Sequence, residues 1–296
     1  IKHYPVLLKE SVDHLVTDRN GIYIDCTFGR GGHSKEILNR ISKSAKLYSF
    51  DLDPDALIAS KEIKYGNFNF IHDNFRNLDR YFDNSSISGA IIDCGLSSPQ
   101  LDSPDRGFSF QKKGPLDMRF NNQSGMTCSD IVNKYKEEEI SHILWAYGEE
   151  EESRRIAKAI VERRSDKPFT NTLDLSDLIK RNKKIRTKKH AATKSFQALR
   201  IAVNNEVLNL EKCLEELKKK IIKGGKIVVI SFHSLEDRLV KNAFKEKINI
   251  HEKRIPIIEE EKNLTYRTHK LIYPTKDEVK INVRSRSAKM RVIEKL

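Results

Sequence analysis

Cysteine is scarce and scattered, with four in 296 residues, at positions 26, 94, 128 and 213, and no Cys-x-x-Cys pair. That spacing excludes a structural zinc ribbon and a secreted disulfide framework, and small buried residues are expected instead. No apolar run approaches the roughly 20 residues needed to span a bilayer, and no signal-peptide pattern opens the sequence. The expectation is a cytoplasmic protein without a membrane partner. Ile1 stands where a methionine would, so a few residues are expected to precede it. Apolar residues are modest at 38% against 33% charged, yet they recur periodically, which argues for a folded chain with a charged surface rather than disorder. Acidic charge is in deficit too, and the net charge is +13. An excess of that size reflects either a lysine-rich surface or a polyanionic partner, and clustering decides between them. The length suits one large domain or two smaller ones.

What is present is organised around residues 22–33. Ile22, Tyr23 and Ile24 form a short buried strand; the chain then bends through Gly29, Gly31 and Gly32 and opens a helix near Ser34. Glycine admits unusual dihedrals and close approach of a ligand, and the helix start offers free N–H groups and the positive end of a dipole. By itself the pattern fits a nucleoside cradle or a plain strand–turn–helix connection. Lys46 to Phe50 is a second strand, ending in Asp51-Leu52-Asp53-Pro54, where Asp53 suits an N-cap and Pro54 the first helical position. Asp51, at the second strand's tip, is placed to bond ribose hydroxyls. Asn69 to Ile71 and Ala90 to Ile92 make a third and a fourth strand, the fourth followed by Asp93 to Gln100. Strands alternating with helical segments predict a mostly parallel α/β sheet whose ligand lies beyond the carboxyl ends, where Asp25, Asp51, Phe75 and Asp93 fall.

The alternation then stops. From about 103 to 193 the sequence is helical or irregular, with helices expected over Glu137 to Trp145, Arg154 to Val161 and Asp174 to Ile179. The acidic runs 137–139 and 149–152 lack metal-ligand spacing and are expected to be solvated faces, with no metal bound. Lys180 to Lys189 holds seven basic residues and no acid, which fits a solvated loop or a phosphate-binding edge. Val203, Val207, Leu210, Leu214, Leu217 and Ile221 predict one long core helix ended by Gly224-Gly225, followed by a fifth strand over Lys226 to Ser231. Ser287 to Ile293, preceded by Arg284-Ser285-Arg286, alternates as a strand expected to pair antiparallel at the sheet edge. The expectation is thus a discontinuous α/β domain, 1–103 and 201–296, with a helical domain, 104–200, inserted into it.

Several ordered stretches match one family: His3 to Leu8, Thr27 to Ser34, Ser97 to Asp102, Arg106 to Phe110, Gly114 to Arg119, Phe196 to Ile201, Ser231 to Arg238 and Arg286 to Ala288. In these the chain resembles the RsmH (MraW) family of bacterial methyltransferases, which use S-adenosylmethionine to methylate N4 of a cytidine in small-subunit (16S) ribosomal RNA. Departures are local: Ala191 where the family has Pro, Asn282-Val283 where it has Asn-Pro, Lys194 where it has Arg, and a more acidic 149–152.

The resemblance implies a class I methyltransferase fold (Rossmann-like, mostly parallel) with an inserted helical substrate-recognition domain. It implies cofactor contacts from Gly31, Gly32 and His33, from Asp51 to the ribose, and from Phe75, Asp93 and Gln100 about the adenine end. For catalysis, Ser97, Ser98 or a nearby carbonyl is expected to accept from the target amine, with Asp117 and His233 as candidates for proton handling or base recognition. Arg106, Phe108, Phe110, Arg119, Lys188, Lys189, His190 and Lys194 are the expected RNA contacts, with Phe108 or Phe110 stacking on a splayed base. Plain alternatives stay open: the serines as turn caps, the two rings as core. The partner is rRNA, within a nearly mature subunit by family precedent, and a homodimer is an open option. Two other classes compete: a nicotinamide oxidoreductase, which usually has the fuller Gly-x-Gly-x-x-Gly, and a non-catalytic assembly factor, which would need no intact cofactor set.

Overall fold

The computed structural model describes residues 4–185, 190–245 and 264–296, apart from the side chains of Ser98 and Pro99. In chain order the elements are α1 (Leu8–Leu15), β1 (Ile22–Asp25), α2 (Gly32–Arg40), β2 (Lys46–Phe50), α3 (Pro54–Ser60), β3 (Phe68–Ile71) and β4 (Ile87–Asp93). Then come α4 (Ser98–Asp102), α5 (Cys128–Lys134), α6 (Glu137–Gly148), α7 (Ser153–Asp166), α8 (Thr172–Asn182), α9 (Thr193–Asn204) and α10 (Glu206–Lys220). The remainder is β5 (Ile221–Ser231), α11 (Ser234–Ala243), β6 (Tyr266–Thr268), α12 (Lys276–Ile281) and β7 (Lys289–Lys295). Contacts divide the chain into two compact units: Ile1–Asp51, Asp55–Gly95 and Asn209–Leu296 make one, and Leu52–Pro54 with Leu96–Leu208 the other.

The first unit is a seven-stranded sheet in the order β3-β2-β1-β4-β5-β7-β6. Strands β1 to β5 pair parallel, while β7 runs antiparallel to both β5 and β6. Successive side chains of a strand face opposite sides, and here both sides are covered. Val228 and Ile230 enter one core with Val12, Leu15 and Ile37; Ile227 and Val229 enter the other with Leu210, Leu214 and Leu217. Cys26 and Cys213 meet in that second core, Sγ to Sγ 3.9 Å, and burial drives the Cys26 thiol pKa up.

Two expectations change. The periodic stretch 203–221 is not one helix. Val203 lies in the last turn of α9, which ends at Asn204, Asn205 turns left-handed at φ 51°, and Ile221 already belongs to β5. Asn is among the few side chains that tolerate that conformation, and the buried spacing carries across the break, so periodicity alone does not reveal it. Nor does Gly224-Gly225 cap a helix. Ile221 pairs with Ile87 and Lys226 with Gly89, so the four residues 222–225 of β5 stand opposite the single Ser88 of β4, and Gly224 within them is at φ 80°.

The second unit packs α5 to α9 and the loop 104–127 around a separate core that includes Ile131, Ile140, Leu144, Ile156, Ile160, Leu175 and Leu199. Helix α5, absent from the sequence reading, is started by a reciprocal cap. The Thr127 hydroxyl accepts from the Asp130 N–H at 3.2 Å, and the Asp130 carboxylate accepts from the Thr127 N–H at 2.9 Å. Lys134 and this cap hold the Asp130 carboxyl far below the usual range. A Thr127→Ala substitution is expected to lower stability by about 1 kcal/mol, read from urea unfolding; a loss under ~0.3 kcal/mol would mean the cap does not hold the helix start.

Candidate active site

Strands β2, β1 and β4 are neighbours, so Asp25 at the last position of β1, Asp93 at that of β4 and Asp51 just after β2 share the carboxyl end of the sheet. The chain order reverses between β1 and β4, which is where open parallel sheets take ligands. Asp51 is half-buried, and its Oδ2 accepts the Gly29 N–H at 2.7 Å, which orients the carboxylate on the glycine turn. Asp25 is fully buried, accepting from the Ser34 hydroxyl at 2.6 Å and the Thr27 N–H at 3.1 Å. Asp93 accepts the Gly95 N–H at 3.0 Å. Burial pushes both the Asp25 and Asp93 carboxyls above the ordinary range, and the facing charge of His33 offsets this only in part.

Gly31, at φ 75°, is the N-cap of α2, and a Cβ there would meet the Phe28 ring at 2.8 Å. At Gly32 a Cβ would sit 2.1 Å from Pro5 Cγ. Packing against Phe28 and Pro5, rather than ligand approach alone, therefore requires glycine at both positions. His33 is buried, with Nε2 3.1 Å from the Val6 carbonyl and Nδ1 3.9 Å from Asp93 Oδ2. A carbonyl only accepts, so Nε2 carries the proton and Nδ1 faces the carboxylate. Phe75 opens a 3-10 turn after β3 and packs partly buried against the second core of this unit.

Within the second unit, Asp53 emerges as an organiser that the sequence presented only as a helix cap. It accepts from the Gln100 amide at 2.8 Å and pairs with Arg106 at 3.0 Å, all three groups being buried. The Gln100 carbonyl in turn accepts the Ser97 N–H at 2.9 Å. Arg106 is thus no surface contact for RNA. Its guanidinium is buried and also donates to the carbonyls of Arg119 and Phe120, bracing the loop. Phe108 is likewise corrected. It is 6% exposed and lies against Phe120, ring centroids 5.9 Å apart, which leaves no face for a base. Phe110 stacks on His190 at 4.7 Å. Asp117 holds Arg119 through two bonds of 2.9 and 2.7 Å, and Arg119 keeps its carboxyl below the usual range against the opposing effect of burial. In the first unit, the His233 ring caps α11, its Nδ1 accepting from the Glu236 N–H at 3.4 Å and its Nε2 lying 2.9 Å from the Glu236 carboxylate.

The acidic run 149–152 is not a wholly solvated face. Glu150 is 1% exposed, and its carboxylate pairs with the buried Lys183 ammonium at 2.7 Å. The Glu152 carboxylate accepts the N–H groups of Lys184 and Ile185, and the Lys194 ammonium donates to the Glu149 carbonyl at 2.8 Å. The run therefore grips the basic stretch at both ends. Lys188 and Lys189 lie outside the described residues, as does the Ser98 side chain; Ser97 is half-buried beside α4. Among the described residues no cluster of His, Cys, Asp and Glu has metal-holding geometry, and no helix is long and apolar enough to cross a membrane.

Five parallel strands, a β7 reversed between β5 and β6, and carboxylates along the adjacent tips define a class I methyltransferase type of α/β fold. The chain belongs to the MraW methylase family, which matches residues 1–296. It is similar to the ribosomal RNA small subunit methyltransferase H of Coxiella burnetii (strain Dugway 5J108-111), 44% identical over 306 aligned residues and covering 99% of each chain. To the protein of that name from Legionella pneumophila (strain Paris) it is also 44% identical, over 100% of this chain and 99% of that one. Among solved structures, an rRNA methylase from Streptococcus thermophilus aligns at 14% identity and TM-score 0.40, over 98% of this chain and 93% of that one. As a member of its family the protein is an S-adenosylmethionine-dependent methyltransferase. The site's charge suits that donor, since two carboxylates disfavoured by burial gain from a cationic ligand.

Two outcomes are expected. A carboxyl whose folded pKa is raised gives stability that is complete below its unfolded value of 3.8 and lost as pH rises through the folded value. Asp93→Asn should therefore melt higher than the wild type at pH 7.5, with the gain fading toward 3.8, while binding S-adenosylhomocysteine at least about tenfold more weakly. Scanning and titration calorimetry check both halves. Glu150→Ala would leave the Lys183 ammonium buried without its counterion, at about 3–5 kcal/mol. Adding Lys183→Met in a Glu150→Leu background should recover most of that loss in urea unfolding.

Proposed function

We propose that the protein transfers a methyl group from S-adenosylmethionine to the exocyclic N4 of a cytidine in the decoding region of small-subunit (16S) rRNA, within an assembling or nearly mature subunit in the cytoplasm. The observation that carries this reading is the row of carboxylates on β2, β1 and β4 in a chain that matches rRNA methyltransferases over its whole length. Asp51, oriented by the Gly29 N–H, is suited to the ribose hydroxyls. Phe75 offers an apolar edge near the adenine, and Gly31, Gly32 and His33 shape the turn beside it. Asp93, expected beside the adenine, acts together with Asp25 as a source of negative potential for the cationic part of the donor.

When bound, S-adenosylmethionine supplies an electrophilic methyl carbon on a positively charged sulfur. The N4 lone pair of cytosine is conjugated into its ring, so the protein's task is to align the amine and to accept its proton. Asp117 is a weak base for this, because Arg119 stabilises its ionised form. The His233 ring is committed to capping α11. The segment after β4, Ser97 and Ser98 with its backbone carbonyls, is the acceptor that remains. Gln100, bonded to the Ser97 N–H, keeps that segment in shape, and Asp53 keeps Gln100 in place. RNA contacts fall to the basic stretch 180–194, including Lys188, Lys189, His190 and Lys194, and to Phe110 and Arg119.

The test is methyl transfer from labelled donor to small subunits of a strain lacking the modification, followed by mass spectrometry of the rRNA fragment. Label on cytidine N4 is expected; label on a ring carbon, a ribose oxygen or another base would replace this reading. In the same assay Ser98→Ala should lower kcat by roughly tenfold to hundredfold at unchanged S-adenosylhomocysteine affinity, and full turnover would remove Ser98 from the chemistry.

A further inference from the structure

Among the stretches that match the family, Tyr4 to Leu7 has no part in the scheme above. It lies against the start of α2. Pro5 packs so closely there that a Cβ on Gly32 would come within 2.1 Å of its ring, and the Val6 carbonyl accepts from the His33 ring at 3.1 Å. The other ring nitrogen of His33 faces Asp93 at 3.9 Å. Gly32, His33 and Asp93 are all assigned to the donor, so this strap supports the donor site without belonging to it.

The strap does not hold its own shape. Leu7, fully buried, is the N-cap of α1 at φ 51° and ψ 36°, a left-handed conformation that a residue other than glycine keeps only where its surroundings hold it. What holds it comes from 271 residues away: Oε1 of Glu278, on α12, accepts the Leu7 N–H at 2.8 Å. One turn further on, the Asn282 side-chain amide donates to the Tyr4 carbonyl at 3.2 Å. Both ends of the strap are thus pinned from one short helix. That helix is set in its turn by the Thr275 hydroxyl, which accepts the Glu278 N–H at 3.1 Å, and by the Glu278 carbonyl, which accepts the Asn282 N–H at 2.7 Å. Because α12 buries none of its residues, it adds little to either core, and its bonds to the strap stand out. The bond to Leu7 does not need a charge. Burial, with the nearby charge of Glu10 adding to it, raises the Glu278 carboxyl above the ordinary range, and a neutral oxygen would accept the same N–H.

We infer that Glu278 is a positioning residue for the methyl donor, acting through the strap on the His33 ring. The inference rests on the reading of Gly31, Gly32 and His33 as donor contacts. Without the Glu278 acceptor the left-handed turn at Leu7 relaxes, the Val6 carbonyl moves with it, and His33 loses the partner that holds its ring toward Asp93. A small displacement of such a supporting group is enough to loosen a binding site.

Titration calorimetry of S-adenosylhomocysteine with the intact protein, well below its melting temperature, tests this. Glu278→Ala should weaken binding by about three- to tenfold, the effect of one hydrogen bond. Glu278→Gln keeps an oxygen for the Leu7 N–H and should stay within about twofold of the wild type. In a His33→Ala background, Glu278→Ala should cost less than about twofold more, because the two act in series. Kinetically, Glu278→Ala should raise KM for the donor and leave KM for small subunits unchanged, a split that a general loss of stability does not produce. Should Glu278→Ala not fold, Asn282→Ala, which frees the Tyr4 end of the strap, takes its place in the cycle. Wild-type affinity in Glu278→Ala, equal losses in the Ala and Gln variants, or additive losses with His33→Ala would each overturn the inference. If His33→Ala itself binds as well as the wild type, the donor assignment of the glycine turn falls; a sensitive His33 with an indifferent Glu278 removes only the positioning role.

Discussion

Crowding carboxylates at the tips of adjacent parallel strands is the constraint on which the first unit depends. Asp25 and Asp93 are held on neighbouring strands with burial opposing their ionisation, and the charge of His33 is the largest of the influences that ease the cost. Every bond to these acids comes from a position that the fold must supply. Ser34 lies in the first turn of α2, Thr27 and Gly95 lie in the connections after β1 and β4, and the Val6 carbonyl that accepts from the His33 ring comes from the N-terminal segment. A site that is strained without its ligand gains most when a cation arrives, and a sulfonium donor carries the required charge.

The second unit uses buried charge differently. Its pairs are closed within the protein, Asp53 with Arg106 and Glu150 with Lys183, and each fixes a loop that carries candidate substrate-facing groups. A buried pair gives little net stability over an apolar replacement, but removing one partner is costly, so such pairs hold a specific loop conformation. Arg106 braces the carbonyls of residues 119 and 120, and Glu150 with its acidic neighbours grips the basic stretch at both ends.

The strands, the glycine turn and the acids after them were legible because each is a local pattern. Buried strands read as short runs rich in aliphatic and aromatic residues, Lys46–Phe50 matched residue for residue, and the tip acids follow directly in sequence. The antiparallel strand β7 after Arg286 was legible from its alternation in the same way, although β6 and not β7 lies at the edge. The break at Asn205 was not, since an apolar spacing of four and three continues through it, and the Gly224-Gly225 bulge was not, since a glycine pair after a helical pattern reads as a cap. Glu150 looked solvated because acidic runs usually are, and nothing in a linear reading of 149–152 distinguishes the one carboxylate that meets Lys183.

By itself the sequence determined the class of chain: a parallel sheet with acids at its carboxyl end, a glycine turn before a helix, a helical interruption, and an excess of basic charge. These follow from periodicity, turn chemistry and composition, which act over a few residues at a time. Only the tertiary structure decided which polar groups spend themselves inside the protein. Arg106, Phe108, Asp117 and His233 looked available as single residues, and folding engaged each with a partner: the Asp53 carboxylate, the Phe120 ring, Arg119 and the start of α11. The reason is physical: hydrogen bonds and ion pairs are settled between groups brought together by packing, and for Arg106 and Asp53 that meeting spans 53 residues of chain.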